Sequence, residues 1–213
     1  MARILKEEKY ANGNLETRET LLDDQVGKRV TLMEAWYENG QQEYKGNYVN
    51  GRKHGLQESW YPNGQPDYKE NFVNGQKHGL HESWYENGQQ LYKWNFVNGQ
   101  KHGVQEKWYG DGQQEYKWNF VNGQKHGVQE KWYYNGRQEY KENYVNGQYH
   151  GVQEGWRRNG QPDYKKYYLD GTEVSQETYQ KYIQEVAPTV QETVDFEERG
   201  LSGIIAGYLK PDE

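Results

Sequence analysis

The chain contains no cysteine among its 213 residues, which removes disulfides, thiolate nucleophiles and cysteine-based zinc sites together and gives no support for secretion. It has no run of 18 apolar residues, and Met1–Glu8 lacks the apolar stretch of a signal peptide, so neither membrane spanning nor export is expected. An intracellular setting fits, including a virion or host cytoplasm. Aliphatic residues are scarce as well: Leu, Ile, Val and Phe together number 33, a level that points to disorder when net charge is high. Here the net charge is only -6, and 21 Tyr with 8 Trp argue against a disordered chain. An ordinary globule with a thick aliphatic core is excluded, and a thin, aromatic-rich structure is expected. Excess charge of one sign is also missing from most of the chain. Residues 36–171 carry 17 basic and 16 acidic groups, whereas residues 172–213 carry 3 and 9. A nucleic-acid reader needs a basic stripe in excess of its acids, so direct DNA or RNA binding is not expected.

What the sequence does have is a period. Trp36, Trp60, Trp84, Trp108, Trp132 and Trp156 recur every 24 residues, as do the His-Gly pairs that begin at His54, His78, His102, His126 and His150. Asn-Gly or Asp-Gly pairs recur at spacings that alternate between 11 and 13, two per repeat. Such pairs tolerate the positive φ of a type I′ turn and are strong hairpin signals. Between them lie segments such as Leu91-Tyr92-Lys93-Trp94-Asn95-Phe96, whose residues suit strands. The fold class that follows is all-β: an elongated antiparallel meander of β-hairpin repeats with a short α-helical C-terminal cap. Its divisions are a divergent N-terminal repeat or cap over 1–35, the array over 36–171, and a helical acidic cap over 172–213.

The pattern also fixes a register. A two-residue turn at Asn87-Gly88 places Glu82 opposite Lys93, and the same arithmetic pairs Glu34 with Lys45, Glu58 with Lys69, Glu106 with Lys117, Glu130 with Lys141 and Glu154 with Lys165. Opposite charges across strands stabilise by roughly 0.2–1 kcal/mol per pair. A loop one residue longer would spoil the register. Alternation then puts Gly79, His81, Ser83 and Tyr85 on one face with Tyr92, Trp94 and Phe96, small residues against large rings. The other face carries Leu80, Glu82 and Trp84 with Lys93, Asn95 and Val97.

In the tail, Ser175 is a suitable N-cap for a helix bearing Tyr179, Tyr182, Ile183 and Val186, with Pro188 after it. Thr189 and Glu192 form a second capping pattern, and Leu201, Ile204, Ile205, Tyr208 and Leu209 a third short helical turn. This tail reads first as a cap over the last hairpin, with Tyr182, Ile183, Ile204, Ile205 and Tyr208 as a docking element for a partner.

The block Tyr44-Lys45-Gly46-Asn47-Tyr48, followed by Asn50-Gly51-Arg52-Lys53-His54-Gly55, resembles the MORN repeat, and the resemblance covers roughly residues 10–171. The usual second Gly of Gly-x-Gly is replaced by Gln57, His81, Gln105, Gln129 and Gln153, and the Gly46 position becomes Glu70, Trp94, Trp118 and Glu142. In these departures the chain is similar to the second MORN subtype, found in bacterial proteins labelled antitoxin components and in multi-copy families of large DNA viruses; its tail looks most like the viral members. The resemblance implies a non-catalytic scaffold that binds proteins or, in some members, lipid headgroups, and no cofactor.

Candidate sites weigh unequally. The His ladder places equivalent rings two strands apart, about 9.6 Å, too far to share a zinc ion. The Glu ladder repeats one environment six times, whereas a catalytic site is a singular constellation, so no enzyme is expected. Aromatic residues are most simply the core. Trp94 and Trp118 break the repeat only in its middle, and with Tyr92, Phe96, Tyr116 and Phe120 they form the candidate partner contact. Lys53, Lys77, Lys101 and Lys125 form a row that could meet anionic lipid headgroups or an acidic partner.

Overall fold

A computed structural model describes residues 2–25 and 27–197, with side chains placed over 2–23 and 27–186. The strands Arg3–Lys9 and Leu15–Gln25 form the first hairpin. Six further units follow: Lys28–Trp36 with Gln42–Val49, Arg52–Trp60 with Pro66–Val73, Gln76–Trp84 with Gln90–Val97, Gly103–Trp108 with Gln114–Val121, Gly127–Trp132 with Gln138–Val145, and Gly151–Trp156 with Pro162–Leu169. Short pieces at Gln100–Lys101, Gln124–Lys125 and Gln148–Tyr149 precede the last three units, and Thr172–Val174 ends the open 18-stranded antiparallel meander. The first strand, on the sheet's edge, is rich in Lys, Arg and Glu, which discourages pairing with another chain.

All six Glu–Lys register pairs form as the spacing requires. The turns behind them are not all of one kind, which corrects the type I′ expectation. At Asn98-Gly99 both residues have positive φ and Val97 faces Gln100, a two-residue type I′ turn. At the other edge, the Tyr85 amide donates to the Gln89 carbonyl at 2.8 Å and the Gly88 amide to the Tyr85 carbonyl at 2.8 Å. Only Gly88 there has positive φ, so the loop is the three-residue form, a type I turn closed by a glycine. The extra residue does not spoil the register because a bulge cancels it. Trp84 faces Gln90 and Ser83 faces Tyr92, leaving Leu91 unopposed, and every later repeat has the same shift.

Successive repeats are tied at both edges. On the three-residue side, the Tyr85 hydroxyl donates to the Trp108 carbonyl at 3.0 Å, and Tyr37, Tyr61, Tyr109 and Tyr133 do the same to the next Trp. Asn87 Nδ2 donates to the Gly110 carbonyl at 2.8 Å while its Oδ1 accepts the Gln89 amide. On the type I′ side, the Gly99 amide donates to the Lys77 carbonyl at 2.8 Å, and the Asn98 amide reaches His78 Nδ1 at 3.4 Å. The histidines of the His-Gly pairs thus have a structural role: each accepts the turn amide of the following repeat.

The helix Gln176–Glu197 is capped by Ser175, whose Oγ accepts the Thr178 amide at 3.1 Å. It meets the sheet through Tyr179, whose ring lies 5.4 Å from that of Tyr167. The helix runs through Pro188 and does not restart at Thr189. A proline inside a helix frees the carbonyl four residues earlier; here that is Gln184, an exposed position where water can serve it. Leu201, Ile204, Ile205, Tyr208 and Leu209 lie outside the described residues.

Asp111 stands where its neighbours in the turn ladder have Asn. It accepts the Gln113 amide at 3.0 Å but has no N–H to offer the Tyr134 carbonyl. Asp111→Asn should therefore raise stability by about 0.5–1 kcal/mol in urea unfolding, and an unchanged midpoint would show that the asparagine ladder contributes nothing.

Candidate functional site

The most deeply buried side chains are polar. Gln57, His81, Gln105 and Gln129 are 0% exposed and Gln153 is 2% exposed, less than any aromatic residue. The cause lies in the His-Gly step. Phe72 faces Lys77 and Glu70 faces His81, so three residues, His78, Gly79 and Leu80, oppose the single Asn71; two strands on, the four residues His102 to Gln105 lie opposite Trp94 and Asn95. Gly103 has φ +70 at this bulge, a conformation glycine adopts without strain. The Asn95 carbonyl keeps one backbone donor across the bulge, the His102 amide at 3.0 Å, and Gln105 Nε2 is its second at 2.9 Å. The amides of Gln57, Gln129 and Gln153 do the same for Asn47, Asn119 and Asn143, while His81 Nε2 lies 2.7 Å from the Asn71 carbonyl. Gln153 Oε1 also accepts the Asn143 amide at 2.8 Å, and Gln129 Oε1 the Asn119 amide at 3.2 Å, so in these two units the side-chain amide gives the backbone N–H its acceptor and the carbonyl a second donor. The recurrence of these glutamines was visible as a departure from a family's glycine; their role was not, because it depends on a bulge that alternation alone does not reveal.

Over this polar row the rings of the second strand lie down on the small residues of the first. Phe72, Phe96, Tyr116 and Phe120 are all below 10% exposure, so three of the candidate contacts are interior residues. Trp94 stacks on Tyr92 at 3.9 Å between centroids and Trp118 on Tyr116 at 3.9 Å. Lys101 Nζ sits 5.2 Å from the Trp94 ring and 5.3 Å from Phe120, and Lys125 Nζ 5.1 Å from Trp118 and 4.8 Å from Tyr144. Each of the two indoles therefore has a tyrosine against it and an ammonium group over it. Burial pushes the Tyr116 hydroxyl up to about 12, with Trp94 acting in the opposite direction. Of the tail residues, Tyr182 meets His150 edge-on at 6.1 Å and Ile183 is 40% exposed; Ile204, Ile205 and Tyr208 lie outside the described residues.

The position that holds Trp94 and Trp118 holds Glu70 in an earlier repeat. Lys77 Nζ lies 3.0 Å from its Oε1, and His81 Nδ1 lies 3.4 Å from the same oxygen, too poorly aligned for a hydrogen bond. Burial alone would raise the Glu70 carboxyl, but His81 and Lys77 more than offset this and hold it at about 2. Among the described residues no group of three His, Asp or Glu is placed to hold a metal ion, and no helix is long and apolar enough to cross a membrane.

Two outcomes follow. Gln153→Leu takes from the Asn143 amide its acceptor and from the Asn143 carbonyl one of its two donors, and should cost about 1–3 kcal/mol in urea unfolding; a cost near zero would contradict the role assigned to the row. A carboxyl depressed from 4.5 to about 2 contributes stability that is complete above pH 4.5 and is lost as the pH falls toward 2. Glu70→Gln should therefore lie about 3 kcal/mol below the wild type at pH 6 and converge with it near pH 2 when unfolding is followed across that range.

No curated protein sequence matches the chain. Residues 29–50, 53–74 and 77–98 match the MORN repeat variant, three consecutive repeats, and the same hairpin geometry continues from residue 100 to residue 171.

Proposed function

We propose that the array is a non-enzymatic interaction scaffold whose aromatic face receives an acidic segment of a protein partner. The lysine row carries this reading. Lys53, Lys101 and Lys125 each hold an ammonium group 4.8–5.3 Å from a ring centroid, and among the described residues none has a carboxylate within 4 Å. Burial, and then the charge of Lys125, lower the Lys101 ammonium below its ordinary value, the mark of positive charge without an answer nearby. An acidic partner would relieve both costs and would meet the Tyr92–Trp94 and Tyr116–Trp118 stacks between the lysines. MORN repeats serve as protein- and membrane-interaction motifs, and the three matched segments agree with that use. The setting we infer from the tail's resemblance is an assembly of a large DNA virus; an antitoxin-like binder is the alternative that the subtype's bacterial members suggest.

The same lysines favour one second reading, contact with anionic lipid headgroups. Cross-linking mass spectrometry in the native source should place partner cross-links at Lys101 and Lys125, and the Lys101→Gln/Lys125→Gln variant should lose them. Recovery of a free monomer alone counts against the scaffold. Sedimentation of the wild type, but not the double variant, with phosphatidylserine vesicles at low salt would move the assignment to membranes.

A further inference from the structure

Glu142 occupies the same place in its repeat as Glu70, and the surroundings of the two differ in one respect that matters. Counting from the carboxylate, Lys77, His81 and Tyr92 around Glu70 correspond to Tyr149, Gln153 and Tyr164 around Glu142. Both potential cations have been replaced by neutral groups. What Glu142 receives is hydroxyls: Tyr144 donates to Oε2 at 3.1 Å, and Tyr149 and Tyr164 donate to Oε1 at 3.2 and 3.1 Å. Among the described residues no Lys, Arg or His nitrogen lies within 4 Å of it, whereas Glu70 has two.

A pocket opens at this point, lined by Glu142, Tyr149, Gln153, Tyr164, Lys166 and Tyr168. The Tyr149 ring stands 4.7 Å from Tyr144 and 5.0 Å from Tyr168, so three tyrosine rings lie against one another beside the carboxylate. Tyr164 can lie where it does because residue 155 is glycine: a Cβ there would come 2.2 Å from the Tyr164 ring, and earlier repeats carry Ser59, Ser83, Lys107 and Lys131 at this place. The cation that lines the pocket, Lys166, is bound to Glu173 at 2.9 Å.

We propose that this pocket binds a quaternary ammonium group, with the Glu142 carboxylate answering its charge and the tyrosine rings packing on its methyl groups. The preference for a methylated cation follows from acceptor supply. A carboxylate offers about four lone-pair sites, and three are taken by tyrosine hydroxyls, so little remains for the N–H donors of a primary ammonium. Charge and an aromatic lining remain, and these are what a trimethylammonium group uses. The inference draws on different residues from the lysine row and does not depend on the partner proposed above.

Tetramethylammonium chloride is the probe. Titrated into the full chain and followed by tyrosine ring signals in NMR, it should bind saturably and more tightly than ammonium chloride. Glu142→Gln should weaken binding by about tenfold or more, and Tyr149→Lys should abolish it by supplying the internal cation that the four earlier repeats already carry at this place. Lys166→Gln should strengthen it. Nα-acetyl-trimethyllysine amide and phosphocholine then separate a protein source from a lipid headgroup, and saturable binding of either supports the site. Absence of saturable binding by tetramethylammonium, or equal affinity in wild type, Glu142→Gln and Tyr149→Lys, would overturn the proposal.

Discussion

The structure depends on how the chain satisfies the backbone where the His-Gly step interrupts the ladder. Three residues opposite one cannot all pair, and an unpaired peptide group away from water costs about 1–3 kcal/mol. At this step a glutamine amide accepts the facing asparagine N–H in two units, at Gln129 and Gln153, and donates to the facing asparagine carbonyl in four. Gln57, Gln105, Gln129 and Gln153 lie in successive units with His81 among them, and they are the most deeply buried side chains of the sheet. Because the requirement recurs every 24 residues, the row is continuous and the repeat cannot drift in register without stranding it.

The scarcity of aliphatic residues then has a physical explanation. Among the described residues the sheet is a single layer, so its rings are covered by one another and by lysine stems in place of a second layer. Tyrosine and tryptophan suit this arrangement, since they offer wide apolar faces with a polar atom at the rim. Tyrosine hydroxyls and asparagine amides at one edge, and histidine rings at the other, join each hairpin to the next. In such an array stability is approximately a sum of unit and neighbour terms, which is how individual positions such as Glu70, Trp94 and Glu142 can diverge while the fold continues.

The hairpin meander and its register were legible in the sequence, because Glu34 to Lys45 and its five counterparts mark facing positions by charge. The turn types were half legible. Asn98-Gly99 and Asn87-Gly88 look alike as dipeptides, yet one is a two-residue turn and the other ends a three-residue loop whose excess is absorbed at Leu91. Local composition cannot separate them, since the difference lies in how the preceding residues pair. The glutamine row was visible as a recurrence but not as a core, because burial of a polar amide follows from a bulge and not from hydropathy. The helix start at Ser175 was legible from its cap, whereas the passage through Pro188 was not, since it depends on the exposure of Gln184. For the candidate site, Trp94 and Trp118 stood out as breaks in the period, while the tyrosines around Glu142 did not, because each one is ordinary at its own position and only their convergence is unusual.

Function builds on the same plan: a regular backbone fixed by the amide row presents an aromatic face whose local chemistry changes from one repeat to the next. The row itself is open to direct test by NMR hydrogen exchange of the glutamine side-chain amides. The Nε2 protons of Gln57, Gln105, Gln129 and Gln153 should exchange far more slowly than those of the exposed Gln89 and Gln113. Equal exchange rates in the two sets would contradict the buried amide row as the organising interaction of the fold.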